Sequence, residues 1–163
     1  MLFDGKIAKD AKFVVVQAME EARELGSPTV EAEQLLLALS RRTGDVASRA
    51  LAESSLDHEA VAGALDAERE QTLAAVGVAV SDYDLPPLAR LRSRPGFGTS
   101  AKLALQRAMQ VAGERRDKRI GPAHVLIALL LAQAGTVPRA LEHAGVVPAE
   151  LERRTRLALD AAA

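Results

Sequence analysis

Apolar residues recur along this chain at three- and four-residue intervals, in short blocks divided by glycine, proline and charged turns, which is the pattern of amphipathic helices. A first helix is predicted over 10–25, with Phe13, Val16 and Met19 on its apolar face and Glu20, Glu21 and Glu24 elsewhere; Gly26-Ser27-Pro28 stops it. A second, over 31–41, carries Leu35, Leu36, Leu37 and Leu39, a stripe broad enough for the centre of a core. Asp45 and Asp57 are placed to cap two more, one through Ala47, Ala50 and Leu51, the other running to about Leu73 through Val61 and Leu65. The pattern lapses over 74–99, where Pro86-Pro87 and Pro95-Gly96-Phe97-Gly98 deny helix. It resumes at Ser100, read as an N-cap, through Leu103, Leu105, Ala108 and Val111. Pro122 is read in the first turn of a further helix, and Pro138 and Pro148 at the first position of two more, the last over 150–159.

These blocks are one unit written twice. A gapless shift of ninety lays Val30 to Leu39 on Ile120 to Leu129, Ala11-Lys12 on Ala101-Lys102, Ala18-Met19 on Ala108-Met109 and Arg49-Ala50-Leu51 on Arg139-Ala140-Leu141. An offset held constant from residue 11 to residue 51 marks a duplication. The expectation is an all-α fold, a tandem pseudo-twofold repeat of two four-helix units. It forms a single domain over 1–163, with repeat one at 8–73, a linker at 74–99 and repeat two at 100–160.

Composition sharpens this picture. Hydrophobic residues make up 48% of the 163 but aromatics only 2%, so the core must be aliphatic, which suits closely packed helices. The absence of cysteine removes disulfides and thiolate chemistry and fits a reducing compartment. An acid at the fourth residue and apolar runs short of the ~20 residues a bilayer needs argue against a secretory signal or a membrane span; the expected location is the cytoplasm. The net charge of −1 conceals 8 Lys/Arg against 14 Asp/Glu in residues 1–81 (−6) and 13 against 8 in 82–163 (+5). That balance does not fit a wholesale polyanion binder.

Little in the chain supports catalysis. A G-x-x-x-x-G-K-[ST] loop and a G-x-G-x-x-G turn are both missing, so no cofactor or nucleotide is expected. His58, His124 and His143 lack metal-ligand spacing, and His124, at the start of a core helix, is read as structural. No metal site, no catalytic residue and no enzymatic activity are predicted, a hydrolase assembled from distant residues being the remote alternative.

The doubled helices resemble the N-terminal (Clp R, or Clp N) domain of the Clp unfoldases, most closely the ClpC type. The resemblance is carried by Ala11-Lys12-Phe13-Val14-Val15-Val16-Gln17-Ala18, by Glu33-Gln34-Leu35-Leu36-Leu37-Ala38-Leu39 and by Gly121-Pro122-Ala123-His124-Val125-Leu126-Ile127-Ala128-Leu129. It implies a docking module that receives adaptors and substrates for a ring-forming ATPase. In relatives the second helix of each repeat opens on Gly-Thr-Glu-His, whose glutamate helps grip the guanidinium of phosphorylated arginine. Here Glu31-Ala32-Glu33-Gln34 keeps that acid as Glu33, whereas Gly121-Pro122-Ala123-His124 has lost it to Ala123. Alanine cannot pair with a guanidinium, so the second site lacks its carboxylate. Relatives also carry a phenylalanine before the second repeat, in a hydrophobic spot that receives cyclic-peptide antibiotics; Phe97-Gly98-Thr99-Ser100-Ala101-Lys102 occupies that place.

The expected function is therefore non-enzymatic binding in the Clp protease system. The chain acts either as an adaptor or as a decoy that sequesters ClpC-directed ligands such as cyclic peptides. The candidate contacts are Phe97, Glu33, Phe3, Lys102 and Lys12. Each has a plainer reading: Phe97 as an anchor for the linker, Glu33 as a first-turn carboxylate favoured by the helix dipole, Phe3 as terminal packing. A free-standing domain-like protein is favoured over an excised N-terminal domain of a full-length ClpC-type ATPase. The alternative from another class is a nucleic-acid-binding regulator using Arg90-Leu91-Arg92-Ser93-Arg94 and Arg115-Arg116-Asp117-Lys118-Arg119. An acidic first half and scarce aromatics weigh against it.

Overall fold

The computed structural model describes residues 5–84 and 89–163. Among these the helices run α1 (Lys9–Glu24), α2 (Ala32–Ser40), α3 (Val46–Glu53), α4 (His58–Ala75), α5 (Thr99–Glu114), α6 (Pro122–Leu130), α7 (Thr136–His143) and α8 (Pro148–Ala161). Two strands of two residues each, β1 (Thr29–Val30) and β2 (Gly96–Phe97), and a 3₁₀ turn at Val80–Asp82 lie between them. The fold is all-α. Phe3 and the Pro86-Pro87 pair lie outside the described residues.

Local chemistry sets the helix ends. Asp45 and Asp57 accept the backbone N–H of Ser48 and Ala60, each at 2.8 Å, as N-caps do. Gly26, left-handed at φ +68°, closes α1, and the Ala89 carbonyl lies against its α-carbon, where no side chain would fit. Pro122 and Pro148 take the first position of their helices. Two expectations are corrected. Pro138 stands in the third position of α7, which starts at Thr136. The N-cap of α5 is Gly98 rather than Ser100, whose hydroxyl is committed to the other repeat.

The core is centred on α2 and α6, in which residues 34–39 and 122–130 are buried throughout. Around them α1 packs on α2 and α5 on α6. The fourth helix of each repeat lies on the third helix of the other, α4 on α7 and α8 on α3. Phe13 and Val16, expected inside, are 55% and 61% exposed, and Leu103, expected inside in α5, is 44% exposed. Met19 is buried as expected, but the rest of the buried stripe of α1 is Ala11, Val14, Ala18 and Ala22, mostly small residues that let the helix approach α2 closely, and Glu21, expected off the apolar face, is buried too.

The repeats are also crossed by their leading arms. β2 pairs in parallel with β1, Phe97 opposite Val30, and Gly98 N–H donates to the Val30 carbonyl at 2.8 Å. Ninety residues away the same device recurs: Ile7 bridges Ile120, and Ala8 N–H donates to the Ile120 carbonyl at 2.8 Å. Each arm thus completes the other repeat. The segment leading into β2 is laid along the end of α1, with Leu91 N–H donating to the Arg23 carbonyl at 3.0 Å and Arg90 paired with Glu20. Among the described residues no helix is long and apolar enough to cross a membrane.

Candidate functional site

The pairing of β1 with β2 brings the N-termini of α2 and α5 side by side. Glu31, extended at the N-cap of α2, gives its N–H to Gln34 Oε1 at 2.7 Å. Its carboxylate reaches across the seam to the first turn of α5, accepting from Ser100 N–H at 3.2 Å and from the Ser100 hydroxyl. Ala32 N–H donates to Ser100 Oγ at 2.9 Å in return. A β-carbon on Gly98 would occupy the position of the Glu31 carboxylate and displace it from Ser100.

Beside this join opens a slot of about 220 Å³, floored by buried Ala104, Ala128 and Leu129 and edged by Glu33, Leu103 and Arg107. Burial pushes the Glu33 carboxyl above its ordinary range, and the nearby carboxylates of Glu31 and Glu68 add to that shift against its own backbone N–H and Arg69. Among the described residues no side chain is hydrogen-bonded to it. The slot therefore offers an apolar floor, a desolvated acid with no side-chain hydrogen bond among the described residues and a guanidinium at the rim.

The duplication supplies an internal control. Subtracting ninety from Ser100, Ala132 and Gly135 of the slot gives Asp10, Arg42 and Asp45. There Arg42 Nε donates to Asp45 Oδ2 at 2.6 Å and Arg42 Nη2 lies 3.8 Å from Asp10 Oδ1. An ion pair thus stands in repeat one at the positions that line the slot in repeat two, and the position of Glu33 is taken there by buried Ala123.

Of the candidates read from sequence, Glu33 lies in the slot. Phe97 sits just ahead of it, half-buried, held by its backbone to Val30 and packed against the core. Lys12 and Lys102 are exposed at equivalent positions of α1 and α5, and neither lines the slot. Phe3 lies outside the described residues. Sequence reasoning misses Glu31, Leu103 and Arg107. Leu103 reads as core from its spacing, and a contact such as Glu31 to Ser100, 69 positions apart, leaves no periodic trace.

The basic runs are partly spent on the chain's own acids. Arg90 pairs with Glu20, and Arg115 with Asp117 at 3.0 Å and with Asp160. His124 Nδ1 accepts the Gly121 N–H at 2.8 Å and Nε2 lies 2.8 Å from Asp117 Oδ2, so the ring serves the start of α6 with its proton on Nε2. Its hydrogen bond holds the Asp117 carboxyl below the usual range, with Arg115 adding to it.

Comparison with known proteins places this geometry. Residues 96–163, repeat two with its arm, match the family model of the Clp repeat (R) N-terminal domain. By sequence, no curated protein matches it. Solved structures match it over nearly its whole length. The N-terminal domain of the caseinolytic protease associated chaperone ClpD of Arabidopsis thaliana superposes with a TM-score of 0.69 at 19% identity, covering 98% of this chain and 97% of that one. The Hsp104 N-terminal domain of Candida albicans gives 0.63 at 15% identity over 92% and 89%, and a protein of a malarial secretion system 0.61 at 15% over 93% and 96%. Repeat two thus resembles a Clp repeat by sequence. The whole polypeptide, both repeats included, has the fold of a Clp N-terminal domain.

Proposed function

We propose that this protein is a non-catalytic docking module of a Clp chaperone or protease system, receiving peptide segments of adaptors or substrates at the seam between its repeats. The observation that carries the reading is the open slot beside α5, with its unpaired Glu33 carboxyl, set against the plugged equivalent in repeat one. An apolar floor ending in a desolvated acid suits a side chain with an aliphatic stem and a cationic head, lysine or arginine, phosphorylated arginine included. Arg107 at the rim is placed to meet an anion carried on the same ligand. Only one such site operates per molecule, because Ala123 offers no acid and Arg42 blocks the other mouth.

Calorimetric titration of short peptides containing lysine or arginine tests this. Wild type binds, Glu33→Gln binds about ten-fold more weakly, the loss of one charge-assisted hydrogen bond, and replacing the basic residue by norleucine has the same effect. A cation that neutralises Glu33 also binds more tightly as pH rises through the raised carboxyl range, since proton and ligand compete for the acid. Heats indifferent to the basic residue and to Glu33 defeat the reading.

The finer form is a decoy that sequesters cyclic peptides directed at a ClpC-type ring, with Phe97 as the contact. It is favoured by the position of Phe97, half-buried at the seam rather than enclosed within the core. A cyclic peptide that binds wild type and loses affinity with Phe97→Ala, in a variant that keeps its helical content, supports the decoy; equal binding removes it.

A further inference from the structure

A second cleft, of about 410 Å³, opens where α4 of repeat one packs on α7 of repeat two, lined among others by Glu68, Thr72, Arg139, Glu142 and His143. Glu68 is a charged residue only 4% exposed. Its Oε1 accepts from Arg139 Nε and from Thr72 Oγ1, both at 2.7 Å. Arg139 is half exposed, and among the described residues its hydrogen bonds run through Nε alone. One edge of the guanidinium is pinned by a buried acid and the other faces the cleft.

The twin contact, α8 on α3, shows that packing does not require this arrangement. An offset of ninety maps Arg139 to Arg49, but Glu68 to Ala158, Thr72 to Ala162 and His143 to Glu53. The arginine is duplicated; the acid that orients it is not. Arg49 is exposed and makes no ion pair among the described residues. Burying a carboxylate costs several kcal/mol that pairing only offsets, so a buried acid present at one of two equivalent contacts calls for a role beyond holding helices together.

We propose that this cleft recognises a carboxylate on a docked peptide, taken end-on by the two Nη groups of Arg139, with Glu68 as its positioning residue. A guanidinium is donor-only, always charged, and matches a carboxylate in a planar two-bond fork. Its anchoring by Glu68 removes the rotamer entropy that a free arginine loses on binding. His143 stands beside it as a second donor. Of the two acids in the lining, Glu68 is committed to Arg139 Nε and Thr72, and Glu142 is exposed to water and screened. The carboxylate comes either from the C-terminus of the peptide or from an Asp or Glu side group within it. This inference rests on the docking reading above but uses a different cleft from the Glu33 slot.

The test is fluorescence anisotropy with the 163-residue chain and a labelled Lys-Ala-Leu-Ala-Leu-Ala peptide in three forms: free C-terminal acid, C-terminal amide, and amide with one Ala replaced by Glu. The acid binds about ten-fold more tightly than the amide. If the Glu-containing amide recovers that affinity, the cleft takes an internal acid; if it does not, the cleft takes a C-terminus. Arg139→Gln and Arg139→Lys erase the preference, Glu68→Gln reduces it, and Arg49→Gln leaves it intact, with circular dichroism showing each variant folded. Acid and amide binding alike to wild type, or a preference that survives Arg139→Gln, overturns the proposal. In those cases a loss of affinity in Glu33→Gln keeps the docking reading in place, whereas no binding of any form removes both.

Discussion

Arg42 and Ala132 hold the same place in the two repeats, and the proposed single docking site rests on the difference between them: Arg42 is paired with Asp45, whereas Ala132 lines the slot. Arg42→Ala combined with Ala123→Glu removes the plug from repeat one and restores its acid, so peptide stoichiometry by calorimetry should move from one per molecule toward two. A stoichiometry that stays at one would place the peptide elsewhere. Two acids titrate with opposite sign. The raised Glu33 carboxyl holds its proton more tightly in the folded state, so its contribution to stability falls as pH rises through that range. Glu33→Gln should therefore melt higher than wild type near neutral pH and match it at about pH 3. Burial raises Glu68, but hydrogen bonds from Thr72 and Arg139 outweigh it and leave the carboxyl lowered. Its stabilisation is present above the ordinary glutamate range and lost as pH falls through the lowered value. Glu68→Gln should cost about 1–3 kcal/mol at neutral pH, with the deficit closing in acid during melts over a pH series. Glu33 is legible in the sequence because a motif frames it. Glu31 and Arg42 are not, since their roles depend on which residue of a distant turn they face.

Among the elements, α2 and α6 are the most legible, because their runs Leu35–Leu39 and Val125–Leu130 are wholly apolar and buried, so any phase of the pattern reads correctly there. α1 is misphased. Phe13 and three successive valines outweigh the alanines in any hydrophobic count, yet Ala11, Ala18 and Ala22 win the interior because close approach to α2 favours small side chains. The two-residue strands fall below any periodicity. They leave one trace all the same, since the ninety-residue offset carried back past residue 11 sets Ile7 on Phe97, the two residues that bridge to the opposite repeat. Phe97 as the anchor of its arm leads to an expectation. Phe97→Ala should lower stability by about 1–2 kcal/mol in urea unfolding, the apolar burial of a half-covered phenylalanine, whereas Phe13→Ala, on the exposed face, should change it little.

For the molecule as a whole, the arms and the exchanged fourth helices tie the halves together, and the charge asymmetry between them is expressed in long-range ion pairs, Arg139 to Glu68 and Arg90 to Glu20. A fragment of residues 96–163 carries an arm and an acceptor, Phe97 and Ile120, but neither can reach the other within one copy, because each pairs only across repeats. Two such fragments can satisfy each other. The fragment should therefore be largely unfolded when dilute and sediment as a dimer when concentrated, and a folded monomer at all concentrations would contradict the crossed arrangement. The same geometry bears on ancestry. Before duplication, a one-unit polypeptide with these contacts had to exist as a symmetric pair of separate molecules, with two identical mouths fixed by symmetry. Fusion into one gene released that constraint, and only then could one mouth lose its acid to Ala123 and gain Arg42 while the other kept Glu33.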